Sequence, residues 1–432
     1  MFVSTGKPKI LRIPQSIVSL KWVLLMGTLV LSCLNNILLI VWTIALALIL
    51  PLLYKKEGAI EAFIYIQLRS LLNPGIAVSY TDTASVVKWA VIFLLSFYLL
   101  FFTRNSTKNL EVQRISLLLA LFAMIVIVSI WFVSSYPLVA SFKVMSWIIP
   151  FTAIIKGISA TKGTDWIKMI TFPLGLICFG SIILIGSSIG YLRTGYAFQG
   201  LFNHPNVYGT ILAVFISGYL YKCKHLSLLN IAVIGYTIFL AIQSGSRTGM
   251  LSIVLVVLIY MLTLKTKLHL KIFLIVITCG AVVLLLVSDN SVITFITDFM
   301  YKGNKSNLLY SRENQIQRNI DRFLASPLFG TGFNVPFTPG LRSTQFSFDV
   351  VTENGNLILA LLGDVGIIGL ILFIVAYTYI YRLGKGVVST IFFIPFIASM
   401  GEMSFFSTNN FAIVFYMYLA VYVCDGVNRL SK

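Results

Sequence analysis

Residues 115–133 read ISLLLALFAMIVIVSIWFV, nineteen positions without a charged side chain. A helix rising ~1.5 Å per residue would carry that run across the ~30 Å of hydrocarbon in a bilayer. Comparable runs recur on both sides of it. Judged by apolar length, spans are expected near 20–34, 37–53, 58–72, 86–102, 115–133, 138–155 and 168–189, and again near 207–221, 227–243, 249–264, 271–287, 355–381, 387–405 and 410–424. The chain of 432 residues is 58% hydrophobic and only 11% charged, too little charge to cover a soluble domain of this size. The ten-residue alternation of a transmembrane barrel is absent. The reading is an all-α polytopic transmembrane helix bundle of about 12–14 spans, one integral membrane domain over 1–432.

Charge then assigns the loops to sides. The formal net charge of +18 would point to nucleic acid in a soluble protein, but here the basic residues sit in short loops between apolar runs, without a basic stripe interleaved with aromatics. Nucleic acid is therefore not an expected partner; the lipid bilayer is. Fourteen spans put both termini in the cytoplasm, with sixteen lysines and five arginines on that side. The weakest span, 58–72, carries Glu61 and Arg69 and has an interfacial helix as its alternative, yet dropping it would move basic loops outward. Outside, the bias reverses to six arginines and two lysines. Lysine suffices as a topogenic charge, whereas guanidinium suits bidentate phosphate recognition.

Cys33, Cys178, Cys223, Cys279 and Cys424 are scattered along apolar runs without metal spacing, so neither a disulfide framework nor a metal site is expected. Lys7, Lys9, Arg12 and Lys21 precede the first apolar run without a small-residue cleavage site, which reads as an uncleaved first span.

One connection is long. Residues 288–354 form a large extracytoplasmic loop with enough aliphatic and aromatic content to be ordered. Within it an amphipathic helix is expected, N-capped by Ser311 and stopped by Pro327, with Ile316, Ile320, Phe323 and Leu324 on a face turned to the membrane surface and Arg318 and Arg322 nearly opposite.

Four outward segments carry polar chemistry. SGSRTG at 244–249 lets backbone approach a ligand closely around Arg247, as a phosphate seat or an ordinary tight turn. GLFNHPNVYG at 200–209 offers His204 as general base or helix cap and Asn203 and Asn206 for hydrogen bonds. SRENQIQRNIDRFLASPLFGTGFNV at 311–335 supplies Arg312, Arg318 and Arg322 and ends in a Pro/Gly turn. VTENGNLILALLGDVGIIGL at 351–370 places Glu353, Asn354 and Asn356 at the top of a span and Asp364 deeper. Lys143, Asp364 and Glu402 fall within spans, where ionisable groups are costly and either pair or serve function.

These four segments, in this order around one large loop, resemble the O-antigen polymerase and O-antigen ligase superfamily across roughly the C-terminal half; the N-terminal half matches only as generic spans. The resemblance implies a glycosyltransferase of the cytoplasmic membrane that needs no metal or other cofactor. Its substrate would be an undecaprenyl-pyrophosphate-linked glycan at the outer face. Arginines would hold the pyrophosphate while a sugar hydroxyl attacks. It assigns Arg247, Arg312, Arg318 and Arg322, with Asn206 and Asn354, to substrate binding. Glu353 is the first candidate for the base and His204 the second. A chain-length regulator is a further implied partner. Ligases of the superfamily tend to carry a loop histidine, whereas the three histidines here are His204, His225 and His269, all outside the loop. That favours a polymerase of O-antigen, capsule or exopolysaccharide repeat units. The alternatives are a ligase and a lipid-linked oligosaccharide flippase, the latter without the internal repeat common among transporters.

Overall fold

A computed structural model describes residues 15–103, 110–161, 163–264, 312–350, 352, 354–407, 409 and 411–430. Thirteen α-helices and no strands are found among them: α1 (Gln15–Leu34), α2 (Asn36–Ser70), α3 (Asp82–Phe101), α4 (Leu110–Val133), α5 (Pro137–Ala160), α6 (Trp166–Gly180), α7 (Pro205–Lys222), α8 (Leu228–Gln243), α9 (Arg247–Thr263), α10 (Glu313–Ala325), α11 (Leu357–Leu383), α12 (Thr390–Ser399) and α13 (Ala412–Leu430). Six helical stretches are long and apolar enough to cross a membrane, and shorter apolar helices accompany them. The fold is thus an all-α polytopic membrane bundle. The expected span at 271–287, the loop segment 288–311 and Glu353 lie outside the described residues.

Helix starts follow their capping residues. The side chains of Asn35, Thr81, Asp165, Ser227, Ser246 and Asn356 each accept an N–H from the first turn of the helix they precede. Pro137 and Pro205 stand at first helical positions, where a missing N–H costs nothing.

Two long helices are not continuous. In α2, Lys55 adopts φ 53°, and the chain doubles back there so tightly that a Cβ on Gly58 would overlap the Leu50 carbonyl. Before the reversal, α2 runs antiparallel to α1, with Trp42 Nε1 donating to Thr28 Oγ1 at 3.2 Å. After it, the chain runs parallel to α1, where Glu61 pairs with Lys21 and the Arg69 guanidinium donates to the Ser32 carbonyl at 3.1 and 3.2 Å. Residues 58–69 are buried throughout. The charges that made this stretch a weak span are held inside the bundle, so it is not an interfacial helix.

The second break lies in α11 at Gly366, with φ 66°. Backbone groups opened by a break at membrane depth must find partners. The turn after α10 supplies them: Thr331 N–H donates to Gly363 O at 2.9 Å, Gly332 N–H to Asp364 O at 3.1 Å, and Ile367 N–H to Pro327 O at 2.9 Å. A Cβ on Gly330 or Gly366 would overlap the opposite backbone. The Arg322–Asp364 ion pair at 2.6 Å closes this clasp, with Arg322 also donating to Thr331 Oγ1 at 2.9 Å and Gly332 O at 2.7 Å. Lys143 Nζ donates to the carbonyls of Asn334 and Val350, both at 2.7 Å, and so fastens the next part of the loop to α5. Two of the three intramembrane ionisable groups are thereby accounted for as fasteners.

The loop helix α10 is preceded by Arg312, whose backbone is not helical and whose side chain makes no cap; Ser311, the expected cap, lies outside the described residues. The helix buries Asn319 and Arg322 against α11 and leaves Ile320 and Leu324 exposed. The polar side turns inward because Asp364 waits in the break of α11.

Turns expected on one side of the membrane gather at one end of the bundle. Asn73 Nδ2 donates to Gly200 O at 2.7 Å, Phe198 N–H to Gln243 O at 3.0 Å, Ser343 N–H to Ser135 O at 2.8 Å and Met403 N–H to Asn354 O at 3.1 Å. At the other end Lys222 pairs with Asp165 at 2.9 Å and Thr164 donates to Glu57 at 2.5 Å. Helices α7 and α9 cross where Gly249 lies on Gly209, so close that a Cβ on Gly249 would overlap the Gly209 backbone.

Candidate active site

A pocket of about 750 Å³ opens at the end where these turns meet. Seven segments wall it: the turn after α2, the approach to α7, the start of α9, the start of the loop helix, the turn after that helix at Asn334, the residues before α11, and the residues before α13. The Gly209–Gly249 crossing brings the N-termini of α7 and α9 to its rim together. Helix N-termini present N–H groups and a positive dipole end, which favours anions.

Four arginines line the pocket, Arg69, Arg193, Arg247 and Arg312, against one carboxylate among the described residues, Glu402. Arg312 donates to Gly355 O at 2.9 Å, to Glu402 Oε1 at 3.1 Å and to Thr248 Oγ1 at 3.4 Å. Glu402 Oε1 also accepts from Asn206 Nδ2 at 3.0 Å. One network therefore ties α7, α9, the loop and the segment before α13. Arg247 opens α9 just beyond Gly245, whose φ of 61° makes the tight turn. Partial burial, and then the Arg312 guanidinium, push the Arg247 pKa down, while arginine remains charged at any ordinary pH. Two guanidinium groups held this near each other are stabilised by an anion between them.

The wall also carries unsatisfied polar groups. Asn203 Oδ1, Gln315 Oε1, Thr352 Oγ1 and Asn354 Nδ2 are buried without a hydrogen-bond partner among the described residues. Buried polar atoms normally have partners, and these four offer a ligand hydrogen-bonding groups around the pocket.

The structure brings together five of the residues expected from the sequence: His204, Asn206, Arg247, Arg312 and Asn354 all line the pocket. Arg318 and Arg322 do not. Arg318 is exposed on α10, and Arg322 is spent on Asp364. His204 caps α7, its Nδ1 accepting the Asn206 N–H at 3.1 Å. A neutral imidazole accepting at Nδ1 carries its proton on Nε2. Glu353 lies outside the described residues, though Thr352 and Asn354 on either side of it both line the pocket.

Other lining residues were not singled out beforehand. Arg69 was read only as an awkward charge in a weak span, and Glu402 only as an intramembrane carboxylate. Tyr80, whose ring lies 5.3 Å from the Arg69 guanidinium, gave no signal, because an aromatic in a short turn has no distinguishing spacing.

The model of the O-antigen ligase family matches residues 232–374. Over this segment, about a third of its length, the chain is similar to the O-antigen ligase family. The match covers α8, α9, α10 and the first part of α11, and with them Arg247, Arg312 and Asn354 of the pocket. His204, Asn206 and Glu402 lie outside the matched segment and reach the site through the fold alone. No curated protein matches the chain.

Proposed function

We propose that the protein polymerises undecaprenyl-pyrophosphate-linked oligosaccharide repeat units at the outer face of the cytoplasmic membrane. The observation that carries this reading is the pocket itself: four arginines and two helix N-termini around one cavity at one end of a membrane bundle. A pyrophosphate fits that charge. Arg247 and Arg312 hold it, with Arg69 and Arg193 further along the wall. As the glycosidic oxygen departs on the lipid pyrophosphate, its developing charge falls to these guanidinium groups, where preorganised donors stabilise a transition state most. A hydroxyl of the acceptor repeat attacks the anomeric carbon from the opposite side, and its proton passes to a carboxylate. Glu353 remains the candidate for that base, with Glu402 orienting Arg312 and Asn206. His204 serves by capping α7 and donating from Nε2. The absence of histidine from 288–354 supports polymerase over ligase.

The test is Arg247→Ala in the full chain, scored by the lipid-linked and polymeric glycans of the cell. Loss of polymer, with single repeats remaining and the protein still in the membrane, is expected. Normal chain lengths would overturn the role of Arg247. Long chains left on the carrier lipid would show a ligase instead.

A further inference from the structure

Beneath the loop, beside the arginine pocket, lies a second and smaller cleft of about 90 Å³. The two share Asn334 and Ser407 in their walls. The cleft is set between α3, α5 and the loop, and its aromatic side is continuous. Phe142 stands 5.2 Å from Trp89 and 5.2 Å from Phe346, both edge-on, and 6.0 Å from Phe348. Phe346 is 45% exposed, so this surface is not spent on core packing. The other side is polar, with Ser347, Ser407 and Asn409 beside the Lys143 ammonium.

Asn334 at the junction has an unusual backbone. Its φ is 54°, a left-handed conformation that a non-glycine residue adopts only at a cost. The surroundings impose it: the Asn334 N–H donates to Asp364 Oδ2 at 2.9 Å and its carbonyl accepts from Lys143 Nζ at 2.7 Å. A buried carboxylate and a half-buried ammonium thus hold this residue, whose side chain borders both cavities. No hydrogen bond of the Asn334 amide side chain is found among the described residues. Asparagine tolerates this left-handed backbone better than other side chains do, and its place on the wall shared by two cavities is what points to use of its amide.

We propose that this cleft is a saccharide subsite, holding a sugar ring of the lipid-linked glycan against Phe142, Phe346 and Phe348, with the Asn334 side chain hydrogen-bonding the sugar at the junction with the pyrophosphate. It rests on the functional reading above and extends it to the glycan. Pyranoses present C–H faces and hydroxyl edges together, which the mixed walls match. An isoprenoid tail offers no hydrogen bonds and would cover the Ser407 hydroxyl and the Asn334 amide without replacing the water they lose. At ~30 Å³ per water the enclosed space suits one edge of a single ring, with the exposed Phe346 carrying the rest.

Two variants test this in the purified full-length protein in detergent. Asn334→Gly removes the side chain while suiting the left-handed backbone, so the fold is kept. Phe346→Ala removes an exposed ring. The probe is the carrier-free repeat-unit oligosaccharide released from the host's own polymer, and its binding is followed independently of turnover. A second probe is undecaprenyl pyrophosphate without glycan. Each variant is expected to weaken oligosaccharide binding by ~3–10-fold, the worth of one hydrogen bond or one aromatic contact, and Phe346→Ala, which lies outside the arginine pocket, to leave the bare lipid pyrophosphate within twofold of wild type. Unchanged oligosaccharide affinity in both variants, or no oligosaccharide binding by the wild type, would overturn the subsite. Weakened binding of the bare lipid instead would assign the cleft to the isoprenoid and equally overturn it. Failure of wild-type polymerisation would strike the functional reading alone, because the oligosaccharide arm needs no catalysis.

Discussion

Replacing Asp364 with leucine tests whether the loop is clasped into the broken span as described. The Arg322 and Asp364 side chains are 2% and 0% exposed, and their contact is 2.6 Å. Removing one partner of a buried ion pair leaves a desolvated charge and costs ~3–5 kcal/mol. Asn334 N–H also loses its acceptor, for about 1 kcal/mol more. The expected loss for Asp364→Leu is therefore ~4–6 kcal/mol, roughly three to four orders of magnitude in the folding equilibrium. Arg322→Met should be milder, because Asp364 would keep the Asn334 N–H and lie near Lys143. The double variant Arg322→Met, Asp364→Leu removes both charges and should recover at least ~2 kcal/mol relative to the sum of the singles. Denaturant-induced unfolding of the purified protein in one detergent, with near-ultraviolet circular dichroism and tryptophan emission followed together, measures all four proteins. An Asp364→Leu protein within about 1 kcal/mol of wild type, or a double variant equal to the sum of the singles, would refute the clasp as an energetically coupled unit.

Gly366→Ala should destabilise by at least ~2 kcal/mol, because its φ of 66° disfavours a Cβ and that Cβ would overlap the Leu328 backbone; a thermal midpoint in detergent checks it. Arg312→Ala should lower kcat/KM for the lipid-linked repeat by ~10²-fold, a loss of about 3 kcal/mol in transition-state binding, whereas Arg318→Ala, outside the pocket, should stay within twofold in the same assay.

Most of the bundle was legible in the sequence because apolar length is a strong signal. The runs at 86–102, 115–133 and 138–155 correspond to α3, α4 and α5. Residues 58–72 were ambiguous for a physical reason: Glu61 and Arg69 look unfit for a membrane until Lys21 and the Ser32 carbonyl are known to face them, and neither partner is local. The loop helix misled in the same way. Its Arg318 and Arg322 have the same residue type and lie on one face, yet one is exposed and the other pairs with a residue 42 positions away. Arg247 was readable because SGSRTG announces a tight turn around a single cation. Glu402 was visible as an oddity, but its place opposite Arg312 depends on the chain returning through α12, which no short-range pattern encodes.

The glycine crossing of α7 and α9 has a mechanical consequence. It sits near the pocket-lining ends of both helices: about five residues separate His204 from Gly209, and two separate Arg247 from Gly249, so the lever arms are only ~3–8 Å at 1.5 Å per residue. The opposite ends, Lys222 and Thr263, lie ~20 Å away along each axis. When a thinner or thicker bilayer tilts one helix against the other by ~10°, the far ends shift by ~3–4 Å while the phosphate-facing ends shift by about 1 Å. Off-centre placement of the crossing means that a given tilt between α7 and α9 moves their pocket-lining ends least.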